Sequence, residues 1–175
     1  MITLVKTTNR ELFLTAMRAA FYDDQDLKIY HIKPSDDYEE MVIHSYENIG
    51  IVRGQLGADL YVVYKDEEII GFTVIAVKAA LLYSFGININ HRNKYVLSQW
   101  LKICQNKLFD ACGFVNVLLY SKNTRALGFF ERNGFSNTFN NKKIMDSDPA
   151  TMMTKYKSHK MFRVVDELEF EEGLG

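Results

Sequence analysis

The pattern of apolar and polar positions changes period several times along the chain. Ile-Thr-Leu-Val-Lys, residues 2–6, opens it as a β-strand. From Asn9 onward Leu12, Phe13, Ala16, Met17, Ala20 and Phe21 recur at helical spacing, with Asn9 placed to act as N-cap. A linker ending at Pro34 leads to a second helix. Ser35 or Asp36 is expected to cap it, acidic residues fill its first turn, and Gly50, Gly54 and Gly57 weaken its end. Two β-rich runs then flank Lys65-Asp66-Glu67-Glu68 and predict a hairpin. A third strand, residues 80–89, is interrupted at Gly86, where a bulge is expected.

The next helix is the most amphipathic. Leu97, Leu101, Cys104, Leu108 and Cys112 form its stripe, and Gly113 stops it. An apolar strand of the kind buried inside a sheet follows at residues 114–121. A short helix comes next, in Asn-Thr-Arg-Ala-Leu-Gly-Phe-Phe-Glu-Arg-Asn-Gly-Phe, residues 123–135, and two strands close the pattern. The order is strand, two helices, three strands, helix, strand, helix, two strands. It predicts an α/β (α+β) domain on a mixed, mostly antiparallel central sheet flanked by helices.

Composition narrows the picture. A chain of 175 residues, 47% hydrophobic, with twelve Phe and ten Tyr, supports one packed core and argues against disorder. We assign residues 1–160 to a single domain and 161–175 to an acidic extension. A formal charge of −1 gives no global field for nucleic acid or an anionic membrane. No apolar run reaches the roughly 18 residues of a membrane span, and the amino terminus lacks a secretory h-region. Cys104 and Cys112 fall in one helix about 12 Å apart, too far for a disulfide, and are read as reduced thiols of an intracellular, cytoplasmic protein. Neither these thiols nor His31, His44 and His159 form a metal spacing.

The element order, with residues 123–135 in the penultimate position, resembles the GNAT family of acyl-CoA N-acyltransferases. The likeness covers nearly the whole chain by topology and residues 83–135 by motif. It implies that the third hairpin-side strand pairs through its backbone with the pantetheine arm of acetyl-CoA, here at Ile87 and Ile89. It further implies that an Arg-led, glycine-rich loop at the start of the next helix holds the pyrophosphate. Helix N-termini suit this role because their first N–H groups are unsatisfied and carry partial positive charge.

The matching run here is Arg92-Asn93-Lys94-Tyr95-Val96-Leu97, so Arg92, Asn93 and Lys94 are the expected loop contacts. The glycine positions hold Asn93, Tyr95 and Leu97, and the Tyr95 ring occupies pyrophosphate space unless it swings outward. In the later stretch Asn123 matches a cofactor contact. Phe130 stands where the family places a tyrosine general acid, and a phenyl ring has no proton to give. Losing a general acid costs roughly 10²- to 10⁴-fold in rate. The same stretch also reads as scaffold, with Asn123 or Thr124 as cap, Ala126, Phe129 and Phe130 in the core, and Gly134 at the C-terminus.

Other polar residues receive weaker assignments. Glu67 and Glu68 belong to a turn, Tyr83 and Ser84 face either a substrate or the core, and His91 sits beside the phosphate loop. Lys142, Lys143, Lys155, Lys157 and Lys160 form a local basic patch that reads as a solvated face. The segment from Met161 to Phe170 reads equally as an extra strand or a tail docking a protein partner.

Because both losses fall on chemistry while fold-defining residues survive, the first expectation is a GNAT-fold protein with a degraded acetyl-CoA site and a binding or structural role. A short similarity to phage-encoded GNAT-like proteins extends that role to the virion. The alternative is an acetyl-CoA-dependent N-acetyltransferase acting on an amine by direct transfer.

Overall fold

A computed structural model describes residues 1–22, 37–145 and 148–157. The elements are β1 (Ile2–Thr7), α1 (Arg10–Phe21), α2 (Tyr38–Leu56), β2 (Asp59–Lys65), β3 (Glu68–Ala76), β4 (Leu81–Ile87), α3 (Lys94–Cys112), β5 (Phe114–Tyr120), α4 (Thr124–Arg132), β6 (Ser136–Met145) and β7 (Asp148–Tyr156). This is the expected order. Seven strands form one sheet in the order β1-β2-β3-β4-β5-β7-β6, and every pair is antiparallel except β4 with β5.

Local chemistry accounts for the helix limits. Asn9 caps α1 by accepting a hydrogen bond from the Leu12 N–H at 3.0 Å. Asp37 caps α2 by accepting from the Glu39 N–H at 3.0 Å. The expected caps, Ser35 and Asp36, lie outside the described residues, as do Pro34, His31, His159, Lys160, the side chains of Lys142 and Lys143, and the whole of 161–175. Helix α2 runs through Gly50 and Gly54 without breaking, because neither is asked to leave helical geometry and both face open space. It ends at Gly57, and α3 ends at Gly113; both adopt the left-handed conformation that terminates a helix.

The two faces of the sheet carry separate cores. On one face α1 and α2 pack Phe13, Met17 and Val42 against Val62, Phe72 and Val74. On the other, α3 and α4 pack Trp100, Leu101, Leu108 and Phe130 against Ile75, Leu82, Val115 and Val117. The α3 stripe is offset from expectation: Val96, Trp100 and Gln105 join Leu101, Cys104 and Leu108 inside, while Leu97 and Cys112 are only partly covered.

Among the described residues no helix is long and apolar enough to cross a membrane, and no group of His, Cys, Asp or Glu could hold a metal ion. Both cysteines are free thiols.

Candidate functional site

The site originates in a defect of the sheet. Strands β4 and β5 pair in parallel only at Leu81 with Asn116 and Leu82 with Val117. Beyond Leu82 neither strand's remaining length has a ladder with the other, so the two diverge as a wedge. A cleft of about 350 Å³ fills the opening. The antiparallel β3 edge of β4 continues to Ile87, which holds one arm of the wedge rigid.

A bulge sets which groups face the cleft. The β3–β4 register passes from Ile75 opposite Leu82 to Val74 opposite Ser84, leaving Tyr83 as the extra residue. The expected bulge at Gly86 is therefore at Tyr83. Gly86 serves a close approach instead: a Cβ there would lie 2.9 Å from the Phe72 ring and 3.0 Å from the Ala20 methyl.

The extra residue inverts the alternation of β4. Leu82 belongs to the α3/α4 core, whereas Tyr83 packs against the α1/α2 core. Ser84, paired with buried Val74, lies on that same face. The backbone follows the same logic. The Asn88 N–H donates to the Ile70 carbonyl at 2.7 Å, which makes 70/88, 72/86 and 74/84 the hydrogen-bonded pairs. The N–H and C=O groups of Phe85 and Ile87 must then point away from β3, into the wedge. The Ile87 carbonyl accepts from Arg92 Nε at 2.8 Å.

The two walls differ in chemistry. Phe85, Trp100, Phe129 and Phe130 form the wall on the α3/α4 side. Phe130 is fully buried and sits edge-on to Phe85, Phe129 and Phe135, with ring centroids at 5.6, 5.2 and 5.1 Å. Phe85 also packs on Trp100 at 5.0 Å, and Trp100 Nε1 donates to buried Thr73 Oγ1 at 2.9 Å. On the α1/α2 side Tyr83, Ser84 and Tyr120 join Ser45, Asn48 and Ile49. Burial of the Tyr83 ring pushes its phenol above the ordinary tyrosine range. Among the described residues neither the Tyr83 nor the Ser84 hydroxyl has a hydrogen-bond partner.

The mouth carries the charge, with Arg92 and Arg125 both lining it. A 3-10 turn at Ile89–His91 separates β4 from α3, so α3 begins at Lys94. Asn93 caps α3 by accepting from the Val96 N–H at 3.0 Å, and its backbone is extended. The Tyr95 ring is 58% exposed and has swung outward, leaving the cleft open.

Of the sequence-assigned contacts, Ile87, Arg92 and Asn123 line the cleft, whereas Ile89, Asn93 and Lys94 do not. Ile89 lies in the 3-10 turn, where its carbonyl accepts from the Arg92 N–H at 3.4 Å. Asn123 caps α4 through the Ala126 N–H at 3.2 Å while lining the cleft. His91 faces away toward Glu68, with Nε2 3.5 Å from its carboxylate. Ser45, Asn48, Tyr120 and Arg125 were not singled out in the sequence. No local motif marks them, because they meet β4 only through tertiary packing.

No protein-family profile matches the chain, and no curated protein does. Solved structures do. A probable GNAT-family acetyltransferase from Chromobacterium violaceum superposes with a TM-score of 0.69 at 15% identity, over 89% of this chain and 83% of that one. The acetyltransferase from Salmonella typhimurium that modifies the N-terminal serine of 50S ribosomal subunit protein L7/L12 gives 0.63 at 16%, over 89% and 99%. Spermidine N-acetyltransferase from Vibrio cholerae, solved with CoA and spermine, gives 0.62 at 12%, over 91% and 98%. At these identities the likeness is one of fold, and the fold is that of the GNAT acetyltransferases.

Proposed function

We propose that the protein is an acyl-CoA-dependent N-acyltransferase that transfers an acetyl group directly to an amine. The observation that carries this reading is the β4–β5 wedge, with its open cleft and the unladdered backbone of Phe85 and Ile87 facing it. A fully laddered β4–β5 seam would have closed it.

Acetyl-CoA fits the groups present. A strand edge offers alternate N–H and C=O groups to the amides of an extended arm, as one strand does to another. Arg92 and Arg125 place cationic forks at the mouth, where phosphates would lie. When bound, the thioester supplies an activated acyl carbon. The chain's own part is positional and electrostatic. The Phe85 N–H, directed into the wedge beside the aromatic wall, is placed to stabilise charge on an acyl oxygen. The polar face at Ser45, Asn48 and Tyr120 gives an amine a separate approach. Acceptors acted on by proteins of the same fold, a peptide beginning with serine and spermidine, are the first to try.

Isothermal calorimetry with acetyl-CoA tests the reading. Saturable micromolar binding is expected, together with thiol release in the presence of one of those amines. No binding at millimolar acetyl-CoA would overturn it. A second reading, a binding scaffold without turnover, draws on two observations: Phe130 offers no proton, and the Asn93 side chain already takes a helix-start donor. Tight acetyl-CoA binding without thiol release to any amine or to water would favour that reading.

A further inference from the structure

We propose that Tyr83, the residue inserted by the β4 bulge, is the proton donor to the leaving sulfur. This rests on the N-acyltransferase reading above and names the group that does the work Phe130 cannot.

The wedge fixes where the reacting atoms fall. Its cationic mouth lies at Arg92, beyond the last residue of β4, and its apex lies at the Leu82–Val117 pair where the strands rejoin. A substrate with phosphates at the mouth and an extended arm along β4 brings its thioester to the apex. Ile87 to Tyr83 spans about 13 Å of strand, so the arm's end reaches Phe85, Ser84 and Tyr83. On the aromatic wall, the phenyl ring of Phe130 lines the cleft, packed against Phe85. Across from it stands the Tyr83 phenol, lining the same cleft.

Three features suit Tyr83 to the task. Its hydroxyl has no partner among the described residues, so none of them competes for its proton. Its ring is held by the apolar residues of the α1/α2 core, which keep the phenol in its neutral, donating form. The bulge also gives it Ser84 on the same face, a second hydroxyl able to relay a proton. Tyr120, the other phenol lining the cleft, lies at the C-terminal end of β5, three residues beyond the apex pair at Val117.

The step balances without a further reagent. The amine nitrogen bonds to the acyl carbon, the carbon–sulfur bond breaks, and the sulfur takes the Tyr83 proton. The nitrogen gives up one proton to the phenolate, directly or through Ser84, and the phenol ends as it began.

The test needs no acceptor. CoA itself, bearing a free thiol, is bound to the wild-type protein, to Tyr83→Phe and to Tyr120→Phe, and its thiolate is followed by ultraviolet absorbance across pH. A phenol donating to sulfur stabilises the thiolate, so at a pH well below the thiol's titration in either protein the wild type should hold about 10- to 100-fold more thiolate than Tyr83→Phe. Arg92 and Arg125, the charged groups lining the cleft, act alike in all three proteins. Tyr120→Phe should titrate as wild type does. Identical titrations of wild type and Tyr83→Phe, or a shift in Tyr120→Phe instead, would overturn the assignment. Failure of wild type to bind CoA at millimolar concentration would overturn the acyltransferase reading and this inference with it. Tyr83→Phe that binds CoA as wild type does, yet loses thiol release from acetyl-CoA, supports the assignment further.

Discussion

The two walls of the cleft solve opposite problems with neighbouring residues of one strand. Phe85 turns toward α3 and α4 and joins a cluster of rings whose deepest member, Phe130, is fully buried. Tyr83 and Ser84 turn toward α1 and α2 and keep at the cleft two hydroxyls that have no partner among the described residues. One wall has Phe130 and Trp100 fully buried, and each ring contact there adds to burial. The other is only partly buried at Tyr83, Ser84 and Tyr120, where stability gains less and chemistry can occur. A single inserted residue separates them.

Removing a ring should break the first wall and spare the second. Phe130→Ala deletes the ring against which Phe85, Phe129 and Phe135 each pack, and a Phe→Ala change in a core costs about 3–5 kcal/mol. Urea denaturation should show that loss. Tyr83→Ala, on a half-buried ring, should cost clearly less. Equal losses would mean that the walls are not distinct in packing.

A subtler change tests whether the aromatic wall can still do chemistry. Phe130→Tyr restores the hydroxyl that the family resemblance leads one to expect. Phe130 is surrounded by Phe85, Phe129 and Phe135, and none of those rings can accept a hydrogen bond well. An unsatisfied hydroxyl in such a place costs about 1–3 kcal/mol. Lower stability with no gain in thiol release from acetyl-CoA is expected. A tenfold gain would return the acid role to position 130.

Alkaline titration sharpens the same contrast. Cys104, fully buried behind the aromatic wall, has its thiol pushed strongly upward by burial, and burial also raises the phenols of Tyr83 and Tyr61. Each group stays neutral in the folded chain while its unfolded counterpart ionises near its ordinary value. The stabilising contribution is therefore complete below the unfolded pKa and is lost as pH rises toward the folded one. For Cys104 that loss begins near pH 8.5–9 and steepens toward about 1.4 kcal/mol per pH unit. Cys104→Ala should flatten the pH dependence of stability between about pH 9 and 10. The half-buried Tyr83 should contribute only above about pH 10.

How much of this could be read from the sequence depends on whether a feature is local. Helix limits at Asn9, Gly113 and Asn123, the hairpin at Asp66-Glu67 and the element order were legible, because caps, turns and periodicity act within a few residues. The bulge was sought at Gly86 and lies at Tyr83, since a bulge is a property of register and the partner strand decides it. Seen alone, Gly86 invites a bulge; the crowding of Phe72 and Ala20 that actually demands glycine comes from elsewhere in the chain. Ser45 and Asn48 gave no signal, because a polar residue on a helix looks the same over a cleft as over bulk water. Tyr95 was legible as a departure but not as a harmless one: its outward turn depends on how the 3-10 turn sets the start of α3.

The smallest expected effect lies at the mouth, where stability and binding draw on the same donor. Asn93 Oδ1 takes the Val96 N–H, which a helix-start anion site would otherwise offer to a phosphate. Replacing an Asn cap with Gly costs only a few tenths of a kcal/mol, whereas Ala costs about 1. Asn93→Gly should therefore leave the denaturation midpoint almost unchanged while freeing one N–H at the start of α3, just after Arg92. A hydrogen bond to a charged group contributes about 1.5–3 kcal/mol, part of which is offset by lost hydration, so several-fold tighter acetyl-CoA binding is expected by calorimetry. Asn93→Ala frees the same donor at a larger cost in stability and should tighten binding to a similar degree. If both variants bind acetyl-CoA no more tightly than wild type, the phosphates rest on Arg92 and Arg125 alone, and the helix start has become purely structural.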